Sequence, residues 1–196
     1  EIAPSDWSSD VCSSDLITLL VHNIRSTHNV GAIFRTAEGF GVKQIILSGY
    51  TPYPDLSLQY QAPHCAFTDD QPQPKDPRLP HIREKITNQI HKTALGAESL
   101  VPFQFFERIE DWLRQNEQGD NQPIIALEQS SDSVMLPNFQ PPKKFALLLG
   151  EEVHGITEDL LRQCSSTVEI PMFGKKESFN VSVACGIALY ALTTQQ

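Results

Sequence analysis

No run in this 196-residue chain approaches the roughly 20 consecutive apolar residues that span a bilayer, and no basic start followed by an apolar segment marks a secretory leader. Cysteine is scarce. Cys12, Cys65, Cys164 and Cys185 are scattered without a short paired spacing, which argues against a zinc motif or a disulfide framework and makes a reducing cytoplasm the expected setting. Cys185 sits in an apolar stretch and reads as a small core residue rather than a nucleophile. His22, His28, His64, His81, His91 and His154 are dispersed, and no His/Asp/Glu cluster suggests a metal. Neither Gly-x-Gly-x-x-Gly nor a glycine loop ending in Gly-Lys-Ser/Thr occurs, which excludes the dinucleotide fingerprint and the P-loop. Basic residues are the minority. Fifteen Lys and Arg against 24 Asp and Glu leave a net charge of −9, so any patch for nucleic acid must be local. Internal repeats are also absent.

What is present is an alternation of apolar runs and amphipathic stretches, and 40% hydrophobic residues suffice for one core. Residues 16–21 read as a buried strand. Val30, Ile33, Phe34, Ala37 and Phe40 recur at helical spacing over 29–40, with Ser26 or Thr27 as a start cap and Gly39 and Gly41 at the end. Residues 44–48 form the next strand, and this strand–helix–strand unit predicts a parallel sheet with a right-handed crossover. The proline-rich, acidic stretch 50–80 predicts a long loop. Helices are predicted over 81–92, 109–116 and 157–164, the last capped by Thr157, and strands over 99–105, 123–127, 145–149 and 167–170. An apolar helix over 181–192 closes the series, and the alternation predicts an α/β domain. Residues 1–15 are rich in Ser and Asp, lack periodicity and begin without Met. They are expected to be an appended leader of poor order, with 16–196 as the folded domain.

Three stretches carry candidate chemistry. In 168–190 a strand-like run stops at Pro171, turns at Gly174 and meets an apolar helix whose beginning carries Ser178, Asn180 and Ser182. Helix starts expose unpaired N–H groups, and polar side chains at such junctions suit ligand binding. In 147–156, Gly150 directly follows an apolar strand and Gly155 lies five residues on, where open α/β sheets bind ligands beyond the carboxyl ends of their strands. In 22–37, Arg35 shares a helical face with Gly31, Ala32 and Glu38, opposite the apolar stripe, so another group could approach closely there. Its planar fork suits phosphate, although a surface Arg paired with Glu38 is the simpler reading of the residues alone.

In their order and spacing these stretches resemble the three signature motifs of the TrmH-type (SpoU) branch of the SPOUT RNA methyltransferases, over 16–194. The resemblance implies a parallel-sheet SPOUT fold with a deep trefoil knot near the C-terminus, S-adenosyl-L-methionine as cofactor and an RNA ribose 2′-hydroxyl as acceptor. It also implies a homodimer in which the motif's Arg acts across the interface. By the same resemblance Arg35, Asn29, Ser178, Asn180 and Glu152 form the catalytic set. Leu149, Gly150, Gly155, Ile170, Met172, Gly174 and Phe179 hold the cofactor. Asn29 and Ser178 have alternative roles as simple helix caps. Two positions depart from the family's pattern: Glu151 stands where Asn is usual, and Phe179 where Leu is usual. Arg25, Lys175 and Lys176, with Lys143 and Lys144, flank the motifs and are candidate RNA contacts, and 93–98 is expected beside the substrate. With little chain before residue 16 and no basic tail, tRNA is expected ahead of rRNA. The alternative reading is a non-catalytic knotted RNA-binding protein.

Overall fold

The computed structural model describes residues 16–60 and 76–194. The expected leader 1–15 and the centre of the proline-rich loop, 61–75, lie outside the described residues. Strands β1 (Ile17–His22), β2 (Gln44–Ser48), β3 (Phe103–Phe106), β4 (Ile124–Leu127), β5 (Val134–Met135), β6 (Phe145–Leu149) and β7 (Ser166–Glu169) form one seven-stranded sheet in the order β3-β2-β1-β6-β4-β7-β5. Every pairing is parallel, with Leu19 between Ile45 and Leu147 and Ala126 between Leu148 and Thr167.

A parallel sheet is stable when both faces are covered, which is why its strands read as continuous apolar runs. Alternate residues of each strand divide between two cores. Leu19, Val21, Ile45, Leu47, Leu147 and Leu149 face helices α1 (Thr27–Gly39), α2 (Pro80–Ala94) and α5 (Val181–Thr194), which contribute Ile33, Phe34, Ile90, Cys185 and Leu189. Phe34 meets Phe103 edge to face at 5.5 Å. Leu20, Ile46, Ala126, Ala146 and Leu148 face α3 (Ile109–Gln118) and α4 (Glu158–Leu161) through Trp112, Leu113 and Leu160. Among the described residues no helix is long and apolar enough to cross a membrane.

The structure departs from the expected elements in four places. The strand expected over 99–105 is only Phe103–Phe106, because Leu95 and Gly96 both take positive φ and end α2. Glu98 and Ser99 then bond back to Gly96, winding Ala97–Ser99 into a 3-10 turn. The helix expected over 157–164 is the single turn Glu158–Leu161, and Thr157 stands at its cap without a side-chain hydrogen bond. The chain leaves that turn because Ser165 N–H donates to the Ile124 carbonyl, drawing 166–169 into the sheet. Strand β5 has only two residues and carries no period to read. Finally, the small-residue face of α1 is occupied by α2: a Cβ at Gly31 would overlap the Thr93 hydroxyl and the Ile90 carbonyl.

Candidate active site

Because all strands run the same way, their carboxyl ends share one edge of the sheet. A cleft of about 310 Å³ opens there, walled by Leu127–Gln129 after β4, Leu149–Gly155 after β6, and Glu169, Ile170, Met172 and Glu177–Phe179 after β7, with Val181 and Ala184 of α5. The glycines are explained by contact. Gly155 has φ +68°, and any Cβ there would overlap the Glu128 carboxylate. A Cβ at Gly150 would press on Ile156 and the Gly155 carbonyl carbon.

The three motif stretches meet at this edge. Asn180 Nδ2 donates to Asn29 Oδ1 at 3.1 Å, and Asn29 Nδ2 donates to Glu152 Oε1 at 3.0 Å. Two local caps free these amides. Ser26 accepts the Asn29 N–H and caps α1, so Asn29 is not the cap. Helix α5 begins at Val181, after Ser178 and Asn180 rather than with them. Asn180 Oδ1 accepts from the Ser182 N–H at 2.9 Å and the Ser182 hydroxyl at 2.7 Å, and so caps α5 while its amide nitrogen faces Asn29. Ser178 lines the cleft and makes no cap contact among the described residues.

Leu149, Gly150, Gly155, Ile170, Met172 and Phe179 all line the cleft, together with Glu152 and Ser178. Gly174, Lys175 and Lys176 are exposed on the loop before α5 and do not line it. Arg35 is exposed on α1, away from the cleft wall. The ion pair with Glu38 that the residues suggested is absent among the described residues. Arg25 donates to Glu151 at 2.6 Å, and His154 Nδ1 lies 2.9 Å from the other Glu151 oxygen. The hydrogen bond from His154, with Arg25 adding its charge, holds the Glu151 carboxyl below the usual carboxylate range. Glu151 thus ties Arg25 of the first motif to the second motif. Lys144 pairs with Asp120 at 2.7 Å at the opposite edge of the sheet, which removes it from the cleft.

Sequence reasoning missed Glu128 and Gln129. Glu128 Oε2 accepts the Ile156 N–H at 2.9 Å, and Gln129 Nε2 donates to the Glu177 carbonyl at 2.6 Å. The available signal was a polar pair directly after the apolar run 124–127, the position from which a parallel strand presents side chains to a ligand. Burial pushes the Cys164 thiol up to about 11 and the Cys185 thiol up to about 12, so neither supplies a thiolate at neutral pH.

A doubly covered parallel sheet with one acid-lined cleft on its carboxyl edge defines an α/β ligand-binding domain. The chain matches the SpoU rRNA Methylase family over residues 79–190 and belongs to it. That stretch contains the second and third motifs, and the first lies ahead of it. A 23S rRNA (guanosine-2′-O-)-methyltransferase of Coxiella burnetii is 27% identical over 183 residues, 92% of this chain and 59% of the relative. A tRNA (guanosine(18)-2′-O)-methyltransferase of Aquifex aeolicus is 27% identical over 184 residues, 93% of this chain and 70% of the relative. The chain thus spans about 59% of the length of the rRNA-directed relatives it matches. An AdoMet-bound rRNA methyltransferase of Sinorhizobium meliloti shares the fold, with a TM-score of 0.68 at 22% identity over 91% of this chain and 56% of that one.

Proposed function

We propose that this domain transfers a methyl group from S-adenosylmethionine to a ribose 2′-hydroxyl of RNA. The observation that carries the reading is the hydrogen-bonded chain Asn180–Asn29–Glu152, which joins all three motifs at the cleft. The lining fits the cofactor's chemistry. Among the described residues it contains five carboxylates and no Lys or Arg, so a phosphate-bearing nucleotide finds no countercharge there, whereas a cationic sulfonium nucleoside does. S-adenosylmethionine supplies a methyl group already activated on sulfur.

The chain's own residues have the remaining tasks. Leu149, Gly150, Gly155, Ile170, Met172 and Phe179 enclose the nucleoside, with Gly174 shaping the loop that follows. Ser178, Asn29 and Asn180 orient the acceptor ribose or the methionine end, and Glu152 holds the Asn29 amide. Such positioning can contribute roughly 7–11 kcal/mol. Arg35 stabilises the oxyanion as the hydroxyl passes its proton to a neighbouring RNA phosphate, a type of assistance worth about 10²–10⁴-fold.

Arg35 lies outside its own cleft wall, so we assign it to the cleft of a second protomer. An apolar stripe on α5 supports that dimer: Val183 is 50% exposed and Tyr190 is 64% exposed, with Ile187 between them. Lys175 and Lys176 lie within the third motif, form no ion pair among the described residues and are assigned to the RNA backbone. We also assign the threading of a trefoil knot to the region between the second and third motifs, which the sheet order β1-β6-β4-β7 accommodates. The relatives include enzymes named for 23S rRNA and for tRNA, so the test uses both. Labelled S-adenosylmethionine is incubated with the protein and each RNA, and the RNA is digested to nucleosides. A labelled 2′-O-methylnucleoside is expected, and label confined to a base, or none in either RNA, refutes the reading.

A further inference from the structure

The cleft carboxylates are not equivalent. Glu151 is engaged by Arg25 and His154, and Glu152 by Asn29. Glu128 is held by backbone alone: Oε1 accepts the Gln129 N–H at 2.9 Å and Oε2 the Ile156 N–H at 2.9 Å. Gly155 leaves room for this carboxylate, since any side chain there would overlap it. The neighbouring Gln129 bonds the Glu177 carbonyl, so the end of β4 ties together both walls of the cleft. Among the described residues, two N–H groups fix the carboxylate without a cationic partner, and each oxygen keeps an acceptor site. A fixed, charged acceptor at the carboxyl end of a parallel strand has the placement from which acidic side chains in dinucleotide folds take ribose hydroxyls.

From this we infer that Glu128 is a specificity residue of the cofactor site: its carboxylate accepts the ribose hydroxyls of the bound nucleoside, so that the cleft selects a ribonucleoside over its deoxy counterpart. The inference rests on the methyltransferase reading of the cleft. The competing role is purely structural, with Glu128 only bracing the turn at 155–156.

Calorimetry of the full chain with S-adenosylhomocysteine and with its 2′,3′-dideoxy analogue separates these roles. Wild type is expected to prefer the ribose form roughly tenfold to hundredfold, the range for hydrogen bonds to a charged group. Glu128→Gln and Glu128→Ala should lose most of that preference while still binding both ligands. A wild-type protein that binds the two ligands equally overturns the inference. So does a variant that weakens both by one factor and keeps the full preference, which is the signature of a brace. If Glu128→Ala fails to fold, Glu128→Gln and the wild-type comparison still decide. If wild type binds neither ligand, the cofactor reading itself has failed, and the inference falls with it by a distinguishable route.

Discussion

The two edges of the sheet hold cavities of the same size and opposite character. At the carboxyl edge, about 310 Å³ is lined by carboxylates, glycine turns and an apolar wall. At the amino edge, about 310 Å³ is lined by Leu113, Asn116, Glu117, Asn121, Gln122, Pro123, Ile124, Gln163 and Ser165. The polar groups of the amino edge are largely turned inward on each other. Asn116 donates to the Gln122 carbonyl at 2.9 Å and accepts its N–H at 3.0 Å, while Asp120 takes Lys43, Lys144 and Gln122. At the carboxyl edge, side chains from three distant stretches converge instead, and Asn29 bridges Glu152 and Asn180. Apart from Gln122 Oε1, which is buried without a partner among the described residues, the amino edge consists of local pairs that hold a fold together, whereas polar groups brought together from afar are what a ligand can use.

Substitutions at the two edges should therefore fail in different ways. The largest effect is expected at Arg35. Arg35→Ala should cut methyl transfer about 10²–10⁴-fold, leave S-adenosylhomocysteine affinity nearly unchanged, and cost no more than about 0.5 kcal/mol in stability, as an exposed residue without a partner among the described residues should. Arg35→Lys should rescue little, because a point charge does not replace a planar fork. Steady-state kinetics and denaturant melts check both.

Gly155→Ala comes next. It places a side chain at φ +68° and against the Glu128 carboxylate, so about 1–3 kcal/mol of strain is expected together with weaker binding of S-adenosylhomocysteine. Full affinity in this variant would show that the turn is not part of the site. Asn116→Ala, at the other edge, removes both partners of the buried Gln122 backbone groups. It should destabilise the domain by about 1–3 kcal/mol while cofactor affinity in the folded fraction stays at the wild-type value.

The smallest effect is at Asp120. Hydrogen bonds from Lys144, Gln122 and Lys43 hold its carboxyl down at about 2, so the ionised form is favoured in the fold. Its stabilisation is complete above the ordinary carboxylate pKa of about 3.9 and is lost as pH falls toward 2. The side chain is 52% exposed and screened, so less than about 1 kcal/mol is expected. Asp120→Asn should show that small loss at pH 7 and none of its further decline in acid, as read by melts across pH.

Much of the fold was legible because both faces of the sheet are covered. That makes 17–22, 44–48 and 145–149 near-continuous apolar runs, and the stripe of α1 marks its buried side. Elements decided by tertiary contacts were not legible. The turn at Ala97–Ser99 depends on two successive positive φ values, and the short α4 on one bond from Ser165 to Ile124. For the site, the motif residues that line the cleft or join its hydrogen-bonded chain could be picked out by resemblance. Glu128 could not, because its meaning comes from Ile156 and Gly155, which the chain brings to it across the sheet. The pairing of Arg25 with Glu151 was not legible either, because the two residues lie 126 positions apart.

The most direct measurement is the single-turnover rate of labelled methyl transfer from saturating S-adenosylmethionine into RNA, comparing wild type with Asn180→Ala. If the chain Asn180–Asn29–Glu152 is the reacting centre, wild type yields a labelled 2′-O-methylnucleoside and Asn180→Ala is slower by about 10²-fold or more, beyond the loss of one helix cap worth about 1 kcal/mol. Equal rates for the two proteins, or no ribose label from wild type, would contradict the account.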